Sequence, residues 1–185
     1  MEQNSVIVIA AVVVVVVVAL VAWLGMRRHR TQRLEQLFGP EYDRTVGALG
    51  QRGKAEKELE ARAKRVEELH LHPLAPAQRD GFQGRWLTTQ AGFVDSPPAA
   101  VAQADELVAE VMRARGYPVA EFEQQAADLS VDHARFVDNY RRAHALAGTA
   151  RDGQASTEDL RQAMVHYREL FEDLLEVAEP ELQPA

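Results

Sequence analysis

Between Val6 and Met26 the chain runs for 21 residues without a charge, and Val12 to Val18 are seven valines in succession. At 1.5 Å of rise per residue, that run spans about 31 Å as a helix, which matches the hydrocarbon core of a bilayer. A cleaved signal peptide would need a basic leading stretch and a shorter apolar core of about 7–15 residues. Here Met1-Glu2-Gln3-Asn4-Ser5 offers neither Lys nor Arg, and the small-x-small pattern Val17-Val18-Ala19 lies inside the run. The expectation is an uncleaved transmembrane helix over 6–26 behind a short extracytoplasmic tail, 1–5.

The flanks give this helix a direction. Arg27, Arg28, His29, Arg30 and Arg33 follow it, whereas Glu2 is the one charged side chain before it. Lys and Arg beside a membrane segment favour the cytoplasmic side, so the N-terminus is expected outside the plasma (inner) membrane and the remainder in the cytoplasm. Trp23 falls near the cytoplasmic boundary, where an indole buries its ring and wets its N–H. Residues 27–38 form a basic juxtamembrane segment whose arginines reach anionic headgroups, at about 1 kcal/mol each.

From Leu34 to Ala185, 152 residues carry 17 Lys/Arg and 27 Asp/Glu, a formal charge of −10. That length supports one modest core, and the acidity argues against nucleic acid as a partner. The absence of cysteine excludes disulfide scaffolds, thiolate zinc sites and cysteine nucleophiles. No stretch alternates with period two, and the helical signals point to an all-α domain over 40–178, a bundle of about six helices, with an acidic tail at 179–185.

Gly39-Pro40 breaks the chain and opens a long charged helix over 41–71, supported by the i,i+4 pairs Arg52/Glu56, Glu58/Arg62 and Glu60/Lys64. Its apolar stripe is narrow, Leu59, Ala63, Val66 and Leu69, and Gly47, Gly50 and Gly53 weaken its first part. A second helix, 77–93, aligns Phe82, Trp86 and Phe93. A third, 98–115, aligns Val101, Ala104, Val108 and Val111. After Gly116-Tyr117-Pro118, a shorter helix presents Val119, Phe122, Ala126 and Leu129. Ser130 and Asp132 are expected to cap the next, to about Ala150, with Val137, Tyr140, His144 and Ala147 in line. The last helix starts at a capping-box-like Ser156/Asp159 and carries the cleanest stripe: Leu160, Met164, Tyr167, Phe171, Leu174 and Ala178.

Chemistry is sparse. His133 and His144 stand about 16 Å apart along one helix and cannot share a metal. Glu67 and His70 form a single Glu-x-x-His, whereas a diiron bundle needs two. No Gly-x-Ser-x-Gly, P-loop, dinucleotide fingerprint or His-Glu-x-x-His occurs. Ser96, Ser130 and Ser156 all read as helix-start residues. Asp132, His133 and His166 are the polar residues left for a small-ligand or proton-transfer site. Near the C-terminus, Glu169, Glu172, Asp173 and Glu176 oppose the helix dipole; they read either as a solvated end or as a docking surface for a basic partner. No cofactor and no metal is implied.

Several short stretches also resemble a group of actinobacterial proteins with one N-terminal membrane helix and an all-helical soluble part, generally described as hypothetical or secreted. The resemblance rests on Phe38-Gly39-Pro40-Glu41-Tyr42, Phe93-Val94-Asp95, Arg115-Gly116-Tyr117-Pro118, Asp128-Leu129-Ser130-Val131-Asp132-His133 and His166-Tyr167-Arg168. Eighteen Arg against three Lys agrees with GC-rich coding. The resemblance implies an anchored helical protein and no particular activity. The expected function is therefore that of a membrane-anchored adaptor or scaffold, contacting the bilayer and an unidentified membrane or cytoplasmic protein. The alternative is a membrane-tethered enzyme or small-ligand sensor.

Overall fold

The computed structural model describes residues 2–176, with side chains from Val14 onward. Every regular element among these residues is an α-helix: α1 (Glu2–Phe38), α2 (Pro40–Leu49), α3 (Arg52–Glu67), α4 (Pro76–Gly92), α5 (Pro97–Ala114), α6 (Phe122–Asp132), α7 (Ala134–Arg151) and α8 (Thr157–Glu176). The all-α expectation is met, with one more helix after α1 than expected. The charged stretch over 41–71 divides at Gly50, whose φ of +63° turns the chain so that its N–H reaches the Val46 carbonyl at 2.9 Å. Left-handed backbone of this kind ends helices and favours glycine.

The larger core lies between α4, α5, α7 and α8. The expected stripe of α8 is buried from Leu160 through Met164, Tyr167 and Phe171 to Leu174, while Ala178 lies outside the described residues. Against it pack Val101, Ala104, Val108 and Val111 of α5 and Val137, Tyr140 and Ala147 of α7. Trp86 of α4 stacks on Phe171 with ring centroids 4.8 Å apart. Each large apolar side chain closed off here contributes about 1.5–3 kcal/mol.

A second, smaller core decides how α1 is attached. Leu34 and Phe38, from its last two turns, are buried with Tyr42 of α2, Leu59 and Val66 of α3, and Val131 of α6. The basic segment over 27–38 is thus packed into the domain through Leu34 and Phe38. It is the end of the helix that carries the apolar run, and it terminates inside the folded domain.

Three local expectations are corrected. The helix expected to start at Pro118 starts at Phe122, and Val119 is 81% exposed rather than on its apolar face. The reason lies just upstream. Gly116 turns with φ +97° and sits so close to the α3–α4 connection that a Cβ would stand 2.9 Å from the His70 carbonyl. Tyr117 is buried there, so the chain must cross to a new position before it can coil again. Ser130 lies within α6 and donates to the Ala127 carbonyl at 2.6 Å, so the break falls at His133, and neither Ser130 nor Asp132 caps α7. Ser96 precedes α5 without a side-chain cap, whereas Ser156 and Asp159 do make the reciprocal box, with Asp159 N–H to Ser156 Oγ at 3.1 Å.

Among the described residues, no helix is long and apolar enough to cross a membrane. Of the uncharged run over 6–26, the first eight side chains lie outside the described residues, and Arg27 follows the remaining thirteen, Val14–Met26. The valines and leucines of that stretch are exposed around the helix.

Candidate functional site

The polar groups of the domain gather where α1 enters it. α3 lies alongside α1 in the same direction, because Thr31 meets Glu56, and Leu34 and Leu37 share a groove with Ala63 and Glu67 further along. Glu56 is 3% exposed. Its carboxylate accepts from Thr31 Oγ1 at 2.6 Å and Tyr42 OH at 3.1 Å, and no described cation lies within 4 Å of it. Burial first, and then this carboxylate, raises the Tyr42 phenol above its ordinary pKa. Glu41, 4% exposed, is clamped from two other helices. Arg141 of α7 donates to both of its oxygens, at 2.7 and 3.0 Å, and Arg62 of α3 adds a third bond at 3.2 Å. Asp128 of α6 is held by Arg65 and Gln124. A buried carboxylate needs such partners to remain charged away from water.

Beside this collar, a cleft opens between the α1–α2 turn, the α6–α7 break and α8. Its walls include Leu37, Pro40, Asp132, His133, Arg135 and Asp173. Because the helix breaks at His133, the imidazole turns inward and is 3% exposed. Its Nδ1 is hydrogen-bonded to Asp173 Oδ2, and its Nε2 is buried without a partner among the described residues. In the neutral form, Nδ1–H donates to the carboxylate and leaves the Nε2 lone pair bare. Tyr117 OH lies 3.4 Å from Asp132 Oδ2. Burial first, and Asp132 second, raise its pKa far above the usual phenol value. A carboxylate-oriented imidazole therefore borders the cleft, but its Nε2 is buried and no Ser, Thr, Cys or Lys lines the cleft.

The residues singled out from sequence fall into different places. Asp132 and His133 share the cleft, and Asp173, expected on an outward acidic surface, joins them as the partner of His133. His166 is not brought to them. It approaches Glu169 at 3.9 Å, and on α8 it stands seven residues, about 10 Å of helix axis, from Asp173. Glu169 accepts from Asn139, Glu172 lies 3.8 Å from Arg168, and Glu172 and Glu176 are exposed. At the other end, Arg27 lies over the exposed Trp23 ring at 5.4 Å. Arg30 pairs with Glu60, while no described carboxylate lies within 4 Å of Arg27, Arg28 or Arg33. Among the described residues, no three His, Asp or Glu side chains are grouped to hold a metal ion.

The buried carboxylates of the collar, Glu41, Glu56 and Asp128, and the arginines Arg62 and Arg141 that clamp Glu41 were passed over as a functional set by sequence reasoning. One weak signal was available: Glu41 follows Gly39-Pro40 in the first turn of a helix, where an acid is favoured electrostatically whether or not it is buried.

No family model, no curated protein and no solved structure matches the chain.

Proposed function

We propose that the chain is a single-pass membrane protein, N-terminus out, whose cytoplasmic helical bundle is an interaction module that holds a membrane or cytoplasmic protein partner at the membrane surface. The observation that carries this reading is the continuity of α1. One unbroken helix leads from the uncharged run into Leu34 and Phe38, which are 4% and 0% exposed within the domain. An anchor that ends in a core holds the bundle at a fixed height and orientation, which favours presenting a surface over tethering a freely diffusing domain. The exposed acids Glu172 and Glu176, on the last turns of α8, are the surface offered to a basic partner.

Crosslinking of the full-length protein in intact cells, followed by detergent purification and mass spectrometry, tests this. The expected result is one stoichiometric partner that is lost, with the fold intact, from an E172K/E176K variant and released by high salt. Recovery of the same proteins by wild type and variant would remove the acidic surface, and no enrichment at all would remove the scaffold reading. C-terminal reporter fusions test the orientation: reporters active only in the cytoplasm should work and those requiring export should stay silent.

A second reading, a membrane-tethered enzyme or small-ligand sensor, draws on the buried, unpartnered Nε2 of His133, a residue that lines the cleft. It would use Asp132, His133 and Asp173 and leave His166 out. A His133→Gln variant that abolishes ligand-induced thermal shifts would favour it.

A further inference from the structure

The two sides of α1 just beyond Met26 are charged differently. On one side, the groove against α3 mixes His29, Arg30 and Arg33 with Glu60 and Glu67, and Arg30 is paired to Glu60. On the other, a groove of about 470 Å³ is lined by Leu24, Arg27, Arg28, Thr31, Gln32 and Arg52, with no acid among them. Its three guanidinium groups come from two helices, and no described carboxylate lies within 4 Å of any of them. The acid that spacing would assign to Arg52 is Glu56, four residues on. That carboxylate points inward to Thr31 and Tyr42 instead. In a chain of net charge −7, three arginines without a described acidic partner converging on one groove make a local reversal of sign.

Position gives the reversal its meaning. Because α3 runs alongside α1 in the same direction, its first residue, Arg52, stands level with Arg27–Gln32, at the end of the domain nearest the apolar run. The first turn of α3 contains no acid, and Gln51 provides no side-chain cap, so no carboxylate of its own first turn offsets the positive end of the helix that Arg52 opens. Leu24 continues the wall toward the apolar run, and Arg27 is steadied over the exposed indole of Trp23. Planar guanidinium groups suit phosphate oxygens geometrically as well as electrostatically.

We propose that this groove binds the headgroup of one anionic phospholipid of the cytoplasmic leaflet, its phosphate facing Arg27, Arg28 and Arg52 and its acyl chains lying beside Leu24. The site rests on the anchor reading above and adds to it a selectivity that an arginine belt alone would lack. Bound lipid would fasten α3 to α1 and so fix the bundle against the membrane.

The test uses full-length protein in nanodiscs of phosphatidylcholine with a minor share of phosphatidylglycerol, with retained lipid counted by native mass spectrometry. Phosphatidylglycerol should be retained well above its share. Arg52→Gln, which lies outside the apolar run and pairs with no described carboxylate, should cut that enrichment about fivefold, with helicity unchanged and with Tm unchanged in phosphatidylcholine-only discs. Arg142→Gln, an exposed arginine of α7, should leave it as in wild type. Wild-type enrichment in R52Q would overturn the site and reduce the arginines to a non-selective belt. If inorganic phosphate raises the Tm in phosphatidylcholine-only discs as much as phosphatidylglycerol does, the ligand is the free ion, and the lipid proposal is overturned. A chain that never enters the discs overturns the anchor reading itself, an outcome distinct from insertion without lipid selectivity.

Discussion

Around Phe171, the chain buries aromatic and aliphatic side chains from four helices. Around Phe38, six apolar residues share their space with the carboxylates of Glu41 and Glu56. The first region is closed by apolar area, which is non-directional and tolerates small rearrangements. The second is closed by partners that must be in place, because a buried carboxylate without its hydrogen bonds is strongly unfavourable. The collar that joins α1 to the bundle is thus the region where geometry is specified residue by residue, and the bundle is where the bulk of the stability resides.

Two substitutions of similar expected cost should break the molecule differently. Phe171→Ala removes a ring stacked on Trp86 and leaves a cavity, an expected loss of about 3–5 kcal/mol. It should lower the whole unfolding transition, and amide exchange should accelerate in α4, α5, α7 and α8 together. Glu41→Ala removes the acceptor of three hydrogen bonds and leaves Arg62 with Glu58 and Arg141 with Asp138 at 3.7 Å, each arginine 14% exposed, for an expected loss of about 3 kcal/mol in the collar, the lower end for breaking a buried pair. Exchange should then rise in α2, α3 and the end of α1 while α8 keeps its protection. A variant E41A that loosens α8 as much as α3 would show that the two cores fold as one unit.

Alkaline pH sharpens the same contrast. Tyr117, Tyr140 and Tyr167 are buried phenols of the larger core, and burial, followed by Asp132 for Tyr117 and Asp105 for the other two, raises their pKa well above 10. Their unfolded counterparts lose protons first, so the stability they contribute is complete below pH 10 and is lost as pH rises beyond it. Each costs about 1.4 kcal/mol per pH unit over that range. The collar holds one such phenol, Tyr42, which is also raised. Unfolding followed by circular dichroism between pH 9 and about 12 should show a steep loss that Tyr140→Phe and Tyr167→Phe each make shallower. An unchanged slope in both variants would mean that other groups govern alkaline unfolding.

Most of the bundle was legible because its signal is local. A helix that buries one face writes that face at a spacing of three and four; α5 buries the stripe read from it, and α8 does so from Leu160 to Leu174. The collar was not legible, because its pairings cross long distances in sequence. Local spacing assigned Arg52 to Glu56, Glu58 to Arg62 and Glu60 to Lys64. The middle pair forms, at 3.2 Å, but Glu60 reaches Arg30 and Glu56 reaches Thr31 and Tyr42. An i,i+4 pair is worth only a few tenths of a kcal/mol, so a helix arriving alongside outbids it readily. His133 and Asp173 are forty residues apart, and only the break in the helix at His133 and the approach of α8 bring them together. The orientation of the imidazole was therefore invisible, although the residue itself was marked.

The smallest effect is expected where the sequence was most explicit. Ser156 and Asp159 satisfy each other at the start of α8: Ser156 Oγ accepts from the Asp159 N–H, and Asp159 Oδ2 accepts from the Ser156 N–H at 2.9 Å and from its hydroxyl at 2.7 Å. The hydroxyl first, and the backbone bond second, hold the Asp159 carboxyl below its ordinary pKa. Ser156→Ala leaves only the backbone bond, so Tm should fall by about 2–4 °C, the usual consequence of losing one helix cap in a domain of this size. The Asp159 pKa, read by NMR titration, should move up toward its ordinary value at the same time. Because the pair is solvent-exposed and α8 belongs to the larger core, the loss should appear as a uniform shift of the whole transition, with exchange in α2 and α3 no more affected than elsewhere. A fall confined to the first turn of α8, with Tm unchanged, would mean that this turn frays independently and that apolar burial from Leu160 onward is sufficient to hold the helix.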